Sequence, residues 1–243
     1  MKDKEETLPF FKKTLNSIWV SESFYSLQGE GKYMGVPSVF LRVQGCNLVC
    51  QWLCDTIPVW REGKSVTYKQ LFDEWYEKSW LKKIFNGAHL ILTGGEPMLR
   101  QEELLGFIKH MEHKMEDVPF IEVETNATIA PIDDFNQYIS HYTCSPKTTN
   151  SGMSLERRYR PEVLKRFVGM SNEDNYPYSI FKFVVDDEID LIEIQREFVD
   201  KFSISHDRVY LMPESTNKHE LQEKSKWVAE LCKENGFNYS TRL

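Results

Sequence analysis

Short β-type apolar runs at residues 38–43, 88–92, 119–123, 180–185 and 208–212 alternate with stretches of helical periodicity, and this alternation most narrows the folds open to the chain. The helical stretches are legible in detail. Residues 67–80 open on Thr67 as a capping residue and carry Leu71, Trp75 and Tyr76 at helical spacing. Residues 97–114 begin with Pro97 in the first turn and set Leu104, Leu105, Ile108 and Met111 along one stripe. Residues 187–202 and 217–235 repeat the pattern, the second ending at Gly236, where a left-handed cap is expected. Apolar strands that alternate with amphipathic helices predict an α/β fold: a mostly parallel sheet covered by helices, open or partly closed into a barrel. No repeat or linker divides the sequence, so residues 1–243 are expected to form a single domain. The polar stretch 147–160 reads as an exposed loop.

In parallel α/β folds the chemistry gathers beyond the C-terminal ends of the strands. Four polar clusters directly follow predicted strands here: Thr93-Gly94-Gly95-Glu96, Glu124-Thr125-Asn126, Ser145-Pro146-Lys147, after a strand near Cys144, and Pro213-Glu214. The topology predicts that they meet on one rim. With 37 acidic against 30 basic residues the net charge is -7, so no basic surplus points to nucleic acid, and a small molecule is the expected substrate. The opening residues Met1-Lys2-Asp3-Lys4-Glu5-Glu6 lack the apolar stretch of a signal peptide, and no run approaches the ~18 apolar residues of a membrane span. No membrane association and a cytoplasmic location are the expectations.

Three of the five cysteines, Cys46, Cys50 and Cys54, fall in one short loop after the run that ends at Val43. Such crowding suits metal better than disulfides. Cys232, in a helical pattern, and Cys144 read as buried structural thiols. Three thiolates can hold three irons of a 4Fe-4S cluster and leave the fourth iron open to a substrate, whereas electron-transfer clusters normally take four protein ligands. A zinc site wants a fourth ligand, and neither His nor Cys follows Cys54 until His89. From spacing alone, zinc and a buried structural trio stay open beside the cluster.

Taken together, the cysteine loop, the Gly-Gly-Glu-Pro turn and Trp52 resemble the radical S-adenosylmethionine superfamily. Within it, Phe24-Tyr25-Ser26-Leu27-Gln28-Gly29-Glu30-Gly31, Gly45-Cys46-Asn47-Leu48, Cys54-Asp55-Thr56, Thr93-Gly94-Gly95-Glu96-Pro97, Glu124-Thr125-Asn126, Ser145-Pro146-Lys147 and Leu211-Met212-Pro213 resemble the 7-carboxy-7-deazaguanine synthases. These segments run in register over nearly the whole chain. The family commonly has two residues between the second and third cysteines, and this chain has one more. Ser240-Thr241-Arg242-Leu243 resembles the start of the family's last strand, after which a tail would be expected.

The resemblance implies a partial (β/α) barrel, a cluster on Cys46, Cys50 and Cys54, and S-adenosylmethionine held by Trp52, Gly94, Gly95, Glu96, Glu124, Ser145, Pro146 and Lys147. An electron from the reduced cluster cleaves that cofactor, and the protein orients and protects the radical formed. Glycines let backbone approach the methionine moiety, and Glu96 offers its ammonium a carboxylate. Leu27, Gln28, Gly29, Glu30, Arg42 and Thr93 correspond to the substrate set, in which Gln28 and Glu30 would pair with a pterin edge and Arg42 with its carboxylate. Arg42 stands out by itself, since an arginine in an apolar strand needs solvent or an anion. Thr56 corresponds to a Mg2+ ligand with Asp55 behind it. The implied reaction is ring contraction of 6-carboxy-5,6,7,8-tetrahydropterin to 7-carboxy-7-deazaguanine with loss of ammonia, in queuosine-type synthesis, with an external electron donor and a homodimer. A related radical enzyme, whether an activase or one acting on another heterocycle, and a non-catalytic zinc protein are the alternative readings.

Overall fold

The computed structural model describes residues 16–50, 54, 57–172, 174, 177–215 and 217–242. Its strands are β1 (Ser17–Leu27), β2 (Pro37–Val43), β3 (Lys64–Thr67), β4 (His89–Gly94), β5 (Ile121–Thr125), β6 (His141–Cys144), β7 (Tyr178–Val185), β8 (Val209–Pro213) and β9 (Asn238–Tyr239). They form a 9-stranded sheet in the order β3-β1-β2-β4-β5-β6-β7-β8-β9. Every pairing from β2 to β9 is parallel, and β1 runs antiparallel to both β2 and β3. The five runs anticipated from sequence are all strands. The hairpin strand β1 was not anticipated: its exposed and half-buried residues alternate without the continuous apolar stretch that marks the inner strands.

The principal helices are α1 (Ile57–Trp60), α2 (Tyr68–Glu77), α3 (Trp80–Phe85), α4 (Gln101–Met115), α5 (Asp133–Asn136), α6 (Leu155–Arg158), α7 (Pro161–Val168), α8 (Glu188–Glu193) and α9 (Lys218–Asn235). Thr67 caps α2 as expected: its hydroxyl accepts from the Gln70 amide at 3.2 Å, and the Gln70 side chain accepts the Thr67 amide at 3.0 Å. The helix expected over 67–80 is in fact two, because Ser79 adopts a left-handed conformation (φ 59°) and turns the chain into α3. The helix expected over 187–202 starts on the Asp187 capping box and continues after α8 as a wider π-type turn over Ile194–Asp200. The stretch 147–160 is not an exposed loop. It contains a 3-10 turn, Thr149–Ser151, and α6, and it buries Thr148, Ser151 and Arg158. A polar composition hid this, because Arg158 is neutralised by Glu193 at 2.9 Å rather than by solvent.

Strand alternation divides the sheet into two unlike faces. Leu41, Val43, Leu90, Leu92, Ile121, Val123, Tyr142, Cys144, Phe181, Phe183 and Leu211 pack with Leu104, Phe107, Ile108, Phe135, Phe167, Phe198 and Val228 of the helical layer into one core. Each such fully buried side chain contributes roughly 1.5–3 kcal/mol, so the sheet-to-helix side holds the fold. The other face turns inward. Registers Phe40↔Ile91, Ile91↔Glu122, Glu122↔His141, Arg42↔Thr93 and Glu124↔Thr143 stack its residues in tiers. Tyr33 plugs the lower end, meeting His89, Phe120 and His141 edge-on with centroids about 5 Å apart.

One buried charge belongs to the scaffold. Arg208 donates from Nε to the Ser179 carbonyl at 2.9 Å, from Nη1 to that of Val168 at 2.8 Å, and from Nη2 to those of Phe167 at 3.2 Å and Met170 at 3.1 Å. It thereby satisfies the carbonyls at the end of α7 and ties them to β7. Arg208→Met leaves these buried acceptors unpaired and should cost about 3 kcal/mol of stability in urea unfolding.

Candidate active site

The rim predicted from sequence forms. A cavity of about 730 Å³ opens at the C-terminal ends of the parallel strands, and Thr93, Gly94, Gly95, Glu124, Thr125, Asn126, Ser145, Lys147, Pro213 and Glu214 all face it. Cys46, Cys50 and Cys54 face the same space. So do Gln28, Gly29, Glu30 and Arg42. Leu27 is half exposed and Pro146 is buried, and neither faces the cavity. Trp52, Asp55 and Thr56 lie outside the described residues.

The cysteine loop is built onto the Gly-Gly turn. Gly94 has φ 148°, and a Cβ there would lie 2.3 Å from the Val43 carbonyl oxygen. A Cβ on Gly95 would lie 2.3 Å from the Gly45 carbonyl oxygen and 2.7 Å from Cys46 Cβ. These are contacts no side chain survives, so the glycines are required first by the approach of β2 and the cysteine loop. Glu96 completes the joint. Its amide donates to the Gly45 carbonyl at 2.9 Å, while its carboxylate accepts from the Met98 amide at 3.0 Å, the Thr125 hydroxyl at 2.8 Å and the Asn126 amide at 2.7 Å. Fully buried and engaged in this way, Glu96 braces the turn, and its carboxylate does not face the cavity. Burial raises its pKa against these three donors. The resemblance sets this carboxylate against a cofactor ammonium; the three donors it accepts from here all belong to the chain itself.

Asn47 pins the loop from the other side. It donates to Thr128 Oγ1 at 2.8 Å and accepts from Asn126 Nδ2 at 2.9 Å, and its carbonyl accepts from Arg157 at 2.6 Å. Thr128 and Arg157 carry no signal in the sequence that marks them for this role. Burial pushes the Cys46 thiol up to about 11 and raises Cys50, which the nearby Lys147 opposes. Metal must therefore displace protons from these thiols as it binds. Among the described residues no three His, Cys, Asp or Glu side chains converge as tightly as a single ion requires. Three thiols carried on one loop can give one thiolate each to three corners of a four-iron cube.

Below the rim the floor is polar. Glu124 accepts from Gln28 Nε2 at 3.1 Å and from the Thr93 hydroxyl at 2.7 Å, and Gln28 Oε1 accepts the amides of Gly29 at 2.8 Å and Glu30 at 3.4 Å. Gln28 is therefore occupied on both ends of its amide, which suits holding Glu124 better than pairing with a ligand edge. Arg42 bonds Glu22 across the β1–β2 ladder at 2.9 Å, so part of its anion requirement is met within the sheet. Glu30 is gripped by Lys182 and, at 2.8 Å, by Arg242. Burial would raise the Glu30 pKa, but the two cations override it and hold it at about 2. Lys182 and Arg242 were not singled out from sequence. Lys182 had a signal, as the one cation within the apolar run 180–185, the same test that marked Arg42.

Comparison with known proteins agrees with this construction. Residues 27–141 match the family model described as a 4Fe-4S single cluster domain. The fold resembles the crystal structure of QueE from Escherichia coli, with a TM-score of 0.67 over 93% of this chain and 94% of that one at 22% identity. The 7-carboxy-7-deazaguanine synthase of Aquifex aeolicus is 34% identical over 92% of this chain and 90% of its own length. That of Halobacterium salinarum is 34% identical over 92% and 88%, and that of Rhodopirellula baltica 31% over 94% and 85%. The Gly94-Gly95 joint yields a concrete expectation: Gly95→Ala should keep the far-ultraviolet circular dichroism of the native chain but lose most of its iron after anaerobic reconstitution, measured as iron per chain. With a three-cysteine loop on a parallel-strand rim, and with relatives matched along nearly their full lengths, this chain belongs to the 7-carboxy-7-deazaguanine synthase family.

Proposed function

We propose that the chain catalyses radical contraction of 6-carboxy-5,6,7,8-tetrahydropterin to 7-carboxy-7-deazaguanine with release of ammonia. The observation that carries this reading is the shared cavity: three thiols of one loop open onto the same space as a floor of Glu124, Thr93, Glu30, Arg42 and Lys182. When bound, the cluster and S-adenosylmethionine supply the hydrogen-abstracting radical. The chain's own residues bind and orient. Gly94, Gly95, Ser145 and Lys147, on the rim beside the cysteines, are the proposed cofactor contacts. Glu124, which the resemblance sets against the cofactor, we assign instead to the substrate floor: with Glu30 it offers acceptors to the amino and amide hydrogens of a reduced pterin, and Arg42 and Lys182 offer cations to its carboxylate. Gln28 we assign to holding Glu124 in place.

A single domain and a cytoplasmic location complete the proposal, together with Mg2+ at Thr56 and Asp55, an external one-electron donor and pairing of two copies, which rest on the family resemblance. No helix among the described residues is long and apolar enough to cross a membrane. All five cysteines are free, as a reducing compartment would keep them.

Anaerobically reconstituted protein should contain iron and sulfide in about equal amounts. It should consume the pterin and release ammonia only when S-adenosylmethionine and a reductant are both present. The Cys46→Ala, Cys50→Ala, Cys54→Ala triple variant should show no turnover, and full turnover by it would sink the reading.

A further inference from the structure

One carboxyl group in the barrel has no part in the roles above. Glu122 lies on β5, two residues before Glu124 and on the same inward face, and is fully buried. Its Oε1 accepts the Thr143 hydroxyl at 2.6 Å. Its Oε2 is buried with no hydrogen-bond partner among the described residues. The Gln28 side chain, which donates to Glu124, is also within hydrogen-bonding reach of Glu122. The two carboxyls therefore stack one behind the other on a strand, with Gln28 bonded to Glu124 and lying close to Glu122.

Such an arrangement tolerates one negative charge and not two. Two carboxylates two residues apart on one strand face in a poorly solvated space repel, and an ionised group with an unpartnered oxygen carries a large desolvation cost. Glu124 faces the cavity and takes two donors, whereas Glu122 lies deeper and takes the weaker share. The proton therefore belongs on Glu122. Glu122 also faces Thr143 and the lower-tier His141 from β6, Ile91, His89 and Thr93 from β4, and Lys182 with its partner Glu30. Of these only Lys182 is a cation that favours ionising Glu122, and it is committed to Glu30.

We infer that Glu122 is a positioning residue of the substrate site: a carboxyl kept neutral behind Gln28 and Glu124, whose proton keeps that pair aligned toward the cavity. This rests on the functional reading above and deepens it. Burial first, and the Glu124 charge second, move Glu122 up to about 7, so its proton is lost within the range where the enzyme can be assayed. Once it is lost, the Gln28 amide is drawn between two anions and the substrate-facing carboxylate loses its fixed orientation.

The test compares wild type with Glu122→Gln, which copies the shape of the neutral acid and cannot ionise. In anaerobic turnover the wild-type KM for the pterin should be flat at low pH and rise beyond an inflection near pH 7, by about tenfold per pH unit. Glu122→Gln should lack that inflection, while Glu122→Asp, which still ionises, should keep one. The affinity for S-adenosylmethionine should not follow the same curve. Thermal melting gives an independent reading. The folded-state pKa lies above the reference value of 4.5, so the folded chain keeps a proton the unfolded chain has released, and stability falls as pH rises between these values. The melting temperature of wild type should therefore drop more steeply from pH 5 to pH 8 than that of Glu122→Gln. An unchanged inflection in Glu122→Gln, or equal melting slopes in the two proteins, would overturn the inference. If wild type fails to consume the pterin, the functional reading falls, and the melting slopes still decide whether the buried carboxyl carries a proton.

Discussion

The approach of Gly95 to Gly45 and Cys46 is the contact on which the site depends. It sets the end of β4 against the segment leaving β2, so the loop that carries the thiols is seated directly on the sheet. A side chain at either glycine would have to displace backbone rather than rotate away, because the nearest atoms at both positions are carbonyl oxygens. Glu96 then converts the contact into a three-way joint, bonding Gly45, the start of the next helical turn, and the end of β5. Its buried carboxylate is tolerated because three donors replace its water. The motif thus has a structural reason that precedes any ligand: it fixes where the thiols stand relative to the rim.

Much of this was legible in sequence, and what was not has an identifiable cause. Five inner strands announced themselves as apolar runs because both of their faces are covered, whereas the short β6, with His141 and Thr143 among its four residues, did not. The same rule concealed β1, whose antiparallel place near the sheet edge leaves many of its residues exposed. The rim clusters followed from the topology alone, since a polar tripeptide after a buried strand has few other places to go. What sequence could not supply was the hydrogen-bond partner. Glu96 and Gln28 are polar groups beside a cavity, and by resemblance both read as ligand contacts. In the fold each is consumed by neighbours brought from 30 and 96 residues away, Asn126 and Glu124. Arg157 and Thr128, which pin Asn47, are ordinary polar residues of surface-like segments until the chain is folded. Lys182 differs, because a lone cation in a buried strand is a sequence signal in its own right.

The two faces of the sheet divide the work. The outer face carries the continuous apolar core, and at roughly 1.5–3 kcal/mol for each fully buried side chain it outweighs the cost of a few buried polar groups many times over. The inner face can therefore hold Glu122, Glu124, Thr93, Thr143 and Lys182, a set that would be poor material for a core. It also follows that changes on the inner face should alter binding and ionisation more than they alter the fold.

The sheet leaves its two outermost strands, β3 and β9, unjoined, and the gap is bridged by side chains rather than by a ladder. The Gly31 amide donates to Ser240 Oγ at 2.9 Å, and Arg242 reaches Glu30 at 2.8 Å, so the segment after β9 is tied to the turn between β1 and β2. This closure is partly electrostatic, and its anion is also a residue of the cavity floor. Glu30 holds two cations at once, Lys182 from β7 and Arg242 from beyond β9, at a point where a substrate carrying its own carboxylate would compete for them. Glu30 therefore joins the floor of the cavity to the closure of the barrel's open side, a link that a fully hydrogen-bonded barrel would not need.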